Sequence, residues 1–185
     1  MKLIDVPLPE VKLIEPTVFG DNRGFFYEAH NVAKYKELGF DLSFVQDNVS
    51  LSAEGVLRGV HYQWPKPQGK LVHVLQGSIW DVAVDLRPDS PTFKQWHAEV
   101  LSTENHRSYW IPPGFGHGFA VIEGPALVTY KVTEFFHLEF DAGIKFDDPD
   151  LNIDWPIQNP TLSGKDQNLP FLQDALASLP KTGDL

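Results

Sequence analysis

From about Phe44 to Val132 the chain alternates between runs of Val, Ile, Phe, Tyr and Trp and turn signals built on Gly and Pro. "FVQDNVSL", "KLVHVLQGSIWDVAVDL", "QWHAEVLS", "RSYWIPPG" and "GFAVIEGPALVTYKV" are the clearest runs. β-Branched and aromatic side chains of this kind suit a pleated, half-buried surface. In "SIWDVAVDL" the alternation is strict: Trp80, Val82, Val84 and Leu86 share one face, Asp81, Ala83 and Asp85 the other. "LQGSI" and "IEGPA" are predicted as tight turns joining antiparallel neighbours. Many short strands at this spacing predict a mainly β chain, an antiparallel barrel or jelly roll.

Helical patterns are few. "NVAKYKELG" predicts two turns with Asn31 as N-cap and Gly39 as the stop, and a second short helix is predicted near "LPFLQDALASL". "KFDDPDLNIDWPIQNP" is irregular and rich in Pro and Asp, and Trp155 is expected to pack it onto the body. With no repeat, low-complexity tract or linker, residues 1–185 read as one domain, with a strand region over about 1–20 and a wrapped tail over about 145–185.

Composition narrows the function classes. A hydrophobic fraction of 42% with 22% charged residues fits an ordered globular chain. A net charge of −10 argues against a nucleic-acid polymer or an anionic membrane as partner, while leaving room for one small anion in a pocket of clustered cations. The absence of cysteine removes disulfides, thiolate ligands and a thiol nucleophile. "MKLIDVPLPEVK" lacks the apolar run of a signal peptide and no stretch is long enough to span a bilayer, so a cytoplasmic protein is expected.

Several polar residues sit where a structural sheet prefers Val or Thr. "GVLRGVHYQ" carries Arg58 and His61, "FVQDN" puts Gln46 and Asn48 on one face, Lys70 opens "KLVHVL", His117 interrupts "PPGFGHGFAV", and Tyr130 shares a face with Val128 and Val132. Singly, each is explained by an edge, a turn or a satisfied core histidine; together they are the set a barrel mouth gathers. Arg58 and His61 are three apart, so strict alternation sends them to opposite faces unless Gly59 marks a bulge. His61, His73 and His117 form no ligand spacing, for no His-x-His pair exists and His73 has the opposite parity to Lys70. Neither a nucleophile elbow nor a phosphate-binding glycine loop is present. Acid–base chemistry without a cofactor remains: a His base beside a carbonyl-activated carbon, a cation for the enolate oxygen, and a phenol returning a proton to the other face.

In order along the chain, "FGDNRGFFYE", "FVQDNVS", "GVLRGVHYQ", "PQGKLVHVLQGSIWDVAVDLRPDSPTF", "WIPPGFGHGFAV", "YKVTEFF" and "DDPDLNIDWPI" resemble the dTDP-4-dehydrorhamnose 3,5-epimerases of deoxysugar biosynthesis. The resemblance implies a cupin-type jelly roll (a double-stranded β-helix), no metal or other cofactor, and a homodimer that exchanges an N-terminal strand. It implies dTDP-4-dehydro-6-deoxy-D-glucose as substrate, inverted at C3 and C5 to dTDP-4-dehydro-L-rhamnose. By motif, His61 matches the base, Asp166 of "LSGKD" the carboxylate that orients it, Lys70 the enolate-stabilising cation and Tyr130 the acid. Arg23, Glu28, Gln46, Asp47, Asn48, Arg58, His117 and Lys165 match nucleotide-sugar contacts, and Phe19 the aromatic that stacks on thymine, its other reading being core packing. Phe135 and Phe136 stand where many relatives carry tyrosines, and a later acidic contact falls at Asp141, with Glu139 as the alternative. These departures leave open a C3-only epimerase or a ketoisomerase; a non-catalytic nucleotide-sugar-binding cupin is the rival from another class.

Overall fold

A computed structural model describes residues 1–185, all but the side chain of Asp184. Strands hold 42% of the chain and helices 12%, so the mainly β expectation holds. The strands are β1 (Lys2–Ile4), β2 (Lys12–Glu15), β3 (Phe19–Asp21), β4 (Gly24–Phe26), β5 (Gln46–Ser52), β6 (Leu57–Gln63), β7 (Lys70–Asp85), β8 (Trp96–Ser102), β9 (Ser108–Ile111), β10 (Phe115–Val132) and β11 (Asp141–Gly143). Helix α1 (Val32–Glu37) precedes β5, and α2 (Gly164–Gln167) and α3 (Leu172–Ala175) lie in the tail. All named pairings are antiparallel, in the order β1-β2-β9-β7-β10-β6-β11, with β5 also on β10 and β8 on β7; β3 and β4 form a separate hairpin.

The two predicted tight turns are corrected. "LQGSI" and "IEGPA" lie inside the long strands β7 and β10 and face each other, with register shifts between Val121 and Glu123 and between Glu123 and Leu127. Gly77, at φ 74°, approaches so closely that a Cβ there would lie 2.5 Å from the Glu123 carbonyl oxygen. Gly and Pro mark turns and bulges alike, so local sequence does not separate the two; long-range pairing decides. The bulges also switch the face that each parity serves. Val72 and Val74 before Gly77, and Ile79 and Ala83 after it, enter one core together with Tyr109, Phe119 and Val128. That switch sends Lys70, Asp81, His117 and Tyr130 toward the same interior although their numbers alternate differently.

The other face of β7 is also covered. Val82, Val84 and Leu86, with Trp80 beside them, pack under Ile144, Leu151, Leu172 and Leu179 of the tail. Trp155 packs against Trp80 in a tilted pair (centroids 5.2 Å apart) and donates from Nε1 to the Phe146 carbonyl (2.8 Å), as its expected role required. Buried Asp148 organises the tail by accepting from the backbone N–H groups of Asp150, Leu151 and Leu172. Asn31 caps α1 by accepting from Lys34 N (3.2 Å), and Gly39 follows its end at φ 88°, both as predicted. The second predicted helix is α3.

The N-terminal strands pair within their own chain: β1 lies on β2, and β2 on β9, with Leu13 opposite Tyr109. Residues 1 to about 20, where the resemblance implies an exchanged strand, thus pair within the chain described. Leu8, Val11 and Leu13 are apolar side chains buried in the main core, which favours this intrachain placement. The β3–β4 hairpin is different, for Phe19, Phe25 and Phe26 are all more than half exposed.

Candidate active site

A cavity of about 360 Å³ opens among β5, β6, β7, β10 and β11. Strand β5 supplies Gln46 and Asn48 two residues apart, their amides joined at 2.8 Å. Strand β6 supplies both Arg58 and His61. The bulge at Gly59 makes this possible: His61 faces His117 and Arg58 faces Phe119, so three residues on β6 span two on β10. Gly59 itself has φ 113° and stands where a Cβ would meet the Gly118 Cα at 2.6 Å. Strand β7 adds Lys70 and β10 adds His117 and Tyr130; Phe136 follows from the loop after β10, Asp141 from β11 and Lys165 from α2.

His61 is held from behind. Its Nε2 donates to Asp166 Oδ1 at 2.5 Å, leaving Nδ1 as the ring nitrogen with a free lone pair. The local sequence "LSGKD" makes this arrangement: Ser163 caps α2 by accepting from Asp166 N (3.1 Å), and its hydroxyl donates to Asp166 Oδ2 (2.7 Å). Burial opposes ionisation of Asp166, but the bonds from His61 and Ser163 outweigh it and hold the carboxyl below its ordinary value. Burial, aided by the charges of Lys165 and Lys70, pulls His61 below its usual 6.5, against the pull of Asp166. The imidazole is therefore neutral and basic near neutral pH.

Lys70 is buried, and burial drops its ammonium to about 8 even though Asp141 and Asp81 favour the charge. Among the described residues its ammonium has one hydrogen bond, a long one of 3.4 Å to the His61 carbonyl. It is a weakly solvated cation next to the imidazole. Burial raises the Tyr130 phenol, and Asp141 adds to this while Arg58 opposes it, so the hydroxyl keeps its proton. Arg58 donates to Ser52 (3.0 Å), and Lys165 pairs with Asp141 at 2.5 Å. His117 donates from Nε2 to Asp81 Oδ2 (2.9 Å), and Asp81 Oδ1 is buried with no partner among the described residues.

Four expected contacts lie elsewhere. Asp47 has the opposite parity to Gln46 and Asn48 and pairs with Lys131 at 2.9 Å on the outer face. Arg23 is bound to Asp21, Glu28 to Asn31 and Lys34, and Phe19 sits in the exposed hairpin, so none of these lines this chain's own cavity. Residues not singled out from sequence also line it: Ser50, Gln63, Gln68 and Phe119. Ser50 and Gln63 were signalled by parity with Asn48 and His61. Asp81 sits in the strict alternation of "SIWDVAVDL", but without the tail in place its face reads as solvent. His73 stands apart, bonded to Tyr27 (2.6 Å) and Ser108. Among the described residues no three His, Asp or Glu side chains gather to hold a metal ion.

A profile of the dTDP-4-dehydrorhamnose 3,5-epimerases matches residues 5–174. The epimerase of that name from Pseudomonas aeruginosa is 52% identical, the match covering 95% of this chain and 98% of the relative. The crystal structure of a dTDP-6-deoxy-D-glucose-3,5-epimerase from Legionella pneumophila, in complex with dTDP-4-keto-L-rhamnose, superposes with a TM-score of 0.92 at 48% identity, covering 97% of each chain. A 3′-monoepimerase from Streptomyces bikiniensis, in complex with dTDP-quinovose, has a TM-score of 0.90 at 30% identity, covering 97% of this chain and 93% of its own. The fold is the cupin type, and the chain belongs to the dTDP-4-dehydrorhamnose 3,5-epimerase family of isomerases.

Proposed function

We propose that the chain, acting as one cupin-type unit over residues 1–185 in the cytoplasm, takes dTDP-4-dehydro-6-deoxy-D-glucose and inverts it at C3 and C5 to dTDP-4-dehydro-L-rhamnose. The observation that carries this reading is one cavity lined by His61, Lys70 and Tyr130 from three strands, with His61 braced by Asp166 at 2.5 Å. His61 Nδ1 removes the proton from a carbon next to the C4 ketone. The electron pair moves into an enolate whose oxygen the Lys70 ammonium stabilises in a site with little competing water. Tyr130 then returns a proton to the opposite face; exchange with solvent takes the proton from His61 and restores that of Tyr130, and the cycle repeats at the second carbon. Proton transfer from a group positioned in this way contributes about 10²- to 10⁴-fold. Arg58, His117 and Lys165 face the diphosphate-sugar, and the planar guanidinium suits bidentate contact with phosphate.

The protein acts as a homodimer in this reading. The β3–β4 hairpin presents Phe19 and Arg23 away from its own cavity, with Glu28 just beyond it, and a second copy supplies the cavity they serve. Light scattering at micromolar protein gives twice the chain mass; a monomer mass with full activity contradicts the dimer.

A C3-only epimerisation is the second reading, favoured by the likeness to the 3′-monoepimerase. Turnover of dTDP-4-dehydro-6-deoxy-D-glucose in heavy water separates the two. Deuterium at both C3 and C5 supports double inversion, deuterium at C3 alone supports the second reading, and none at either carbon refutes both.

A further inference from the structure

The loop at residues 133–137, after β10, carries Phe136 to the cavity wall but belongs to no strand. Loop backbone outside any strand must find its hydrogen-bond partners elsewhere. Here three glutamine side chains from separate parts of the chain supply them. Gln63, only 5% exposed, donates from Nε2 to the carbonyls of Phe135 (3.0 Å) and Lys66 (2.7 Å) and accepts from His137 N at Oε1 (2.8 Å). Gln46 accepts from Phe136 N (3.1 Å) and Gln68 donates to the Glu134 carbonyl (2.8 Å). Each of the four consecutive residues 134–137 thus has a main-chain group fixed by a glutamine. Below them, Thr133 and Gly69 close the loop base with two bonds of 2.8 and 3.1 Å.

A carboxamide is the side chain this arrangement requires at Gln63, because both amide protons and the oxygen are used. A carboxylate would turn oxygens toward two carbonyls, and a thioether of similar length would leave all three backbone groups unpaired.

We propose that Gln46, Gln63 and Gln68 form a positioning clamp that sets the Phe136 ring against the sugar, and so sets how the sugar sits between His61 and Tyr130. This rests on the epimerase reading above. One base serves two carbons on either side of the ketone, so a small displacement of the ring moves one carbon toward Nδ1 and the other away. Reaction rates are steep in such displacements. A loosened clamp therefore changes the balance between the two carbons as well as the overall rate.

The experiment follows deuterium entry at C5 and C3 of dTDP-4-dehydro-6-deoxy-D-glucose by proton NMR for the wild-type protein, Gln63→Met, Gln68→Ala and Phe136→Ala. Both rates come from one sample, so their ratio does not depend on how much enzyme is folded. A merely structural role lowers both rates together and leaves the ratio alone. The clamp shifts the ratio roughly fivefold, the factor for about one net hydrogen bond, in the same direction in all three variants. Gln63→Met added to Phe136→Ala then changes the ratio little further. Gln68 is half-buried and makes a single clamp bond, so Gln68→Ala carries the test if Gln63→Met does not fold. The wild-type ratio in the folded variants, or shifts in opposite directions, overturns the clamp. Wild-type protein that labels neither carbon refutes the epimerase reading and the clamp with it; C3 labelling alone refutes the clamp as stated.

Discussion

Asp166→Asn keeps the shape of the side chain and the Ser163 cap on its backbone, while removing the charge that His61 Nε2–H meets at 2.5 Å. The Asp166 side chain is 3% exposed, so water does not replace the lost interaction. A hydrogen bond to a charged group contributes about 1.5–3 kcal/mol, or roughly 10- to 150-fold in rate if it acts in the transition state, where His61 gains its positive charge. The carboxamide adds a second penalty in the same direction. Its NH2 can donate to Nε2, which favours the tautomer with the proton on Nδ1 and removes the lone pair that accepts from carbon. The pH dependence gives an independent sign. Asp166 is the group that raises the His61 pKa, whereas burial, Lys165 and Lys70 lower it. Without Asp166 the His61 pKa falls further, so the acid limb of kcat/KM moves to lower pH. Initial rates of epimerisation from pH 5 to 9, with Tm measured alongside, provide the assay. Activity within about threefold of wild type, or an acid limb moved to higher pH, refutes the proposed work of the pair.

Three further outcomes follow from the same geometry. Lys70 works as a cation and its pKa is lowered to about 8 by burial, so its contribution to kcat/KM is full below that pH and is lost as pH rises through it; Lys70→Gln leaves a low, flat alkaline limb, and a wild-type plateau reaching pH 10 contradicts this. Exhaustive EDTA treatment leaves turnover unchanged, because Lys70 supplies the charge for the enolate oxygen; loss of activity restored by a divalent ion contradicts it. Gly77→Ala forces a Cβ to 2.5 Å from the Glu123 oxygen at positive φ, costing about 3 kcal/mol or roughly 6–12 °C in Tm for a chain of this size, and an unchanged melting curve contradicts that reading.

Much of the site was legible because the catalytic types are chemically out of place in a sheet. Arg58 and His61 were visible as polar insertions, and Gly59 between them pointed to the bulge that brings both to one cavity. Asp47 is a motif residue whose placement the motif alone does not give: its neighbours face the cavity, and the two-residue period turns its side chain outward to Lys131. Phe19, Arg23 and Glu28 were recognisable as a motif, yet nothing in one chain's sequence says which chain's cavity they serve. The strand count was harder to read. Gly77 and Pro125 carry the residue chemistry of turns, and only the pairing of β7 with β10 over both flanks makes them bulges. The bulge also sets the faces, since reading through it reverses the parity of Asp81 relative to Lys70. The clamp role of the glutamines leaves no trace in the sequence for another reason: although Gln46 stands out by its face and Gln63 by parity with His61, their partners are backbone atoms of a loop, and residue types along a sequence carry no record of backbone acceptors.

His61→Ala and Tyr130→Phe compared in heavy water separate proton removal from proton return at a single cavity. With His61 as the only base, His61→Ala lowers deuterium entry at C3 and C5 together by about 10²- to 10⁴-fold. With Tyr130 as the acid, Tyr130→Phe keeps its ring and packing, still exchanges substrate protons, and forms the doubly inverted sugar more slowly than it exchanges. Proton NMR reads both quantities in the same tube. Normal exchange by His61→Ala, alongside wild-type rate and product from Tyr130→Phe, contradicts both assignments.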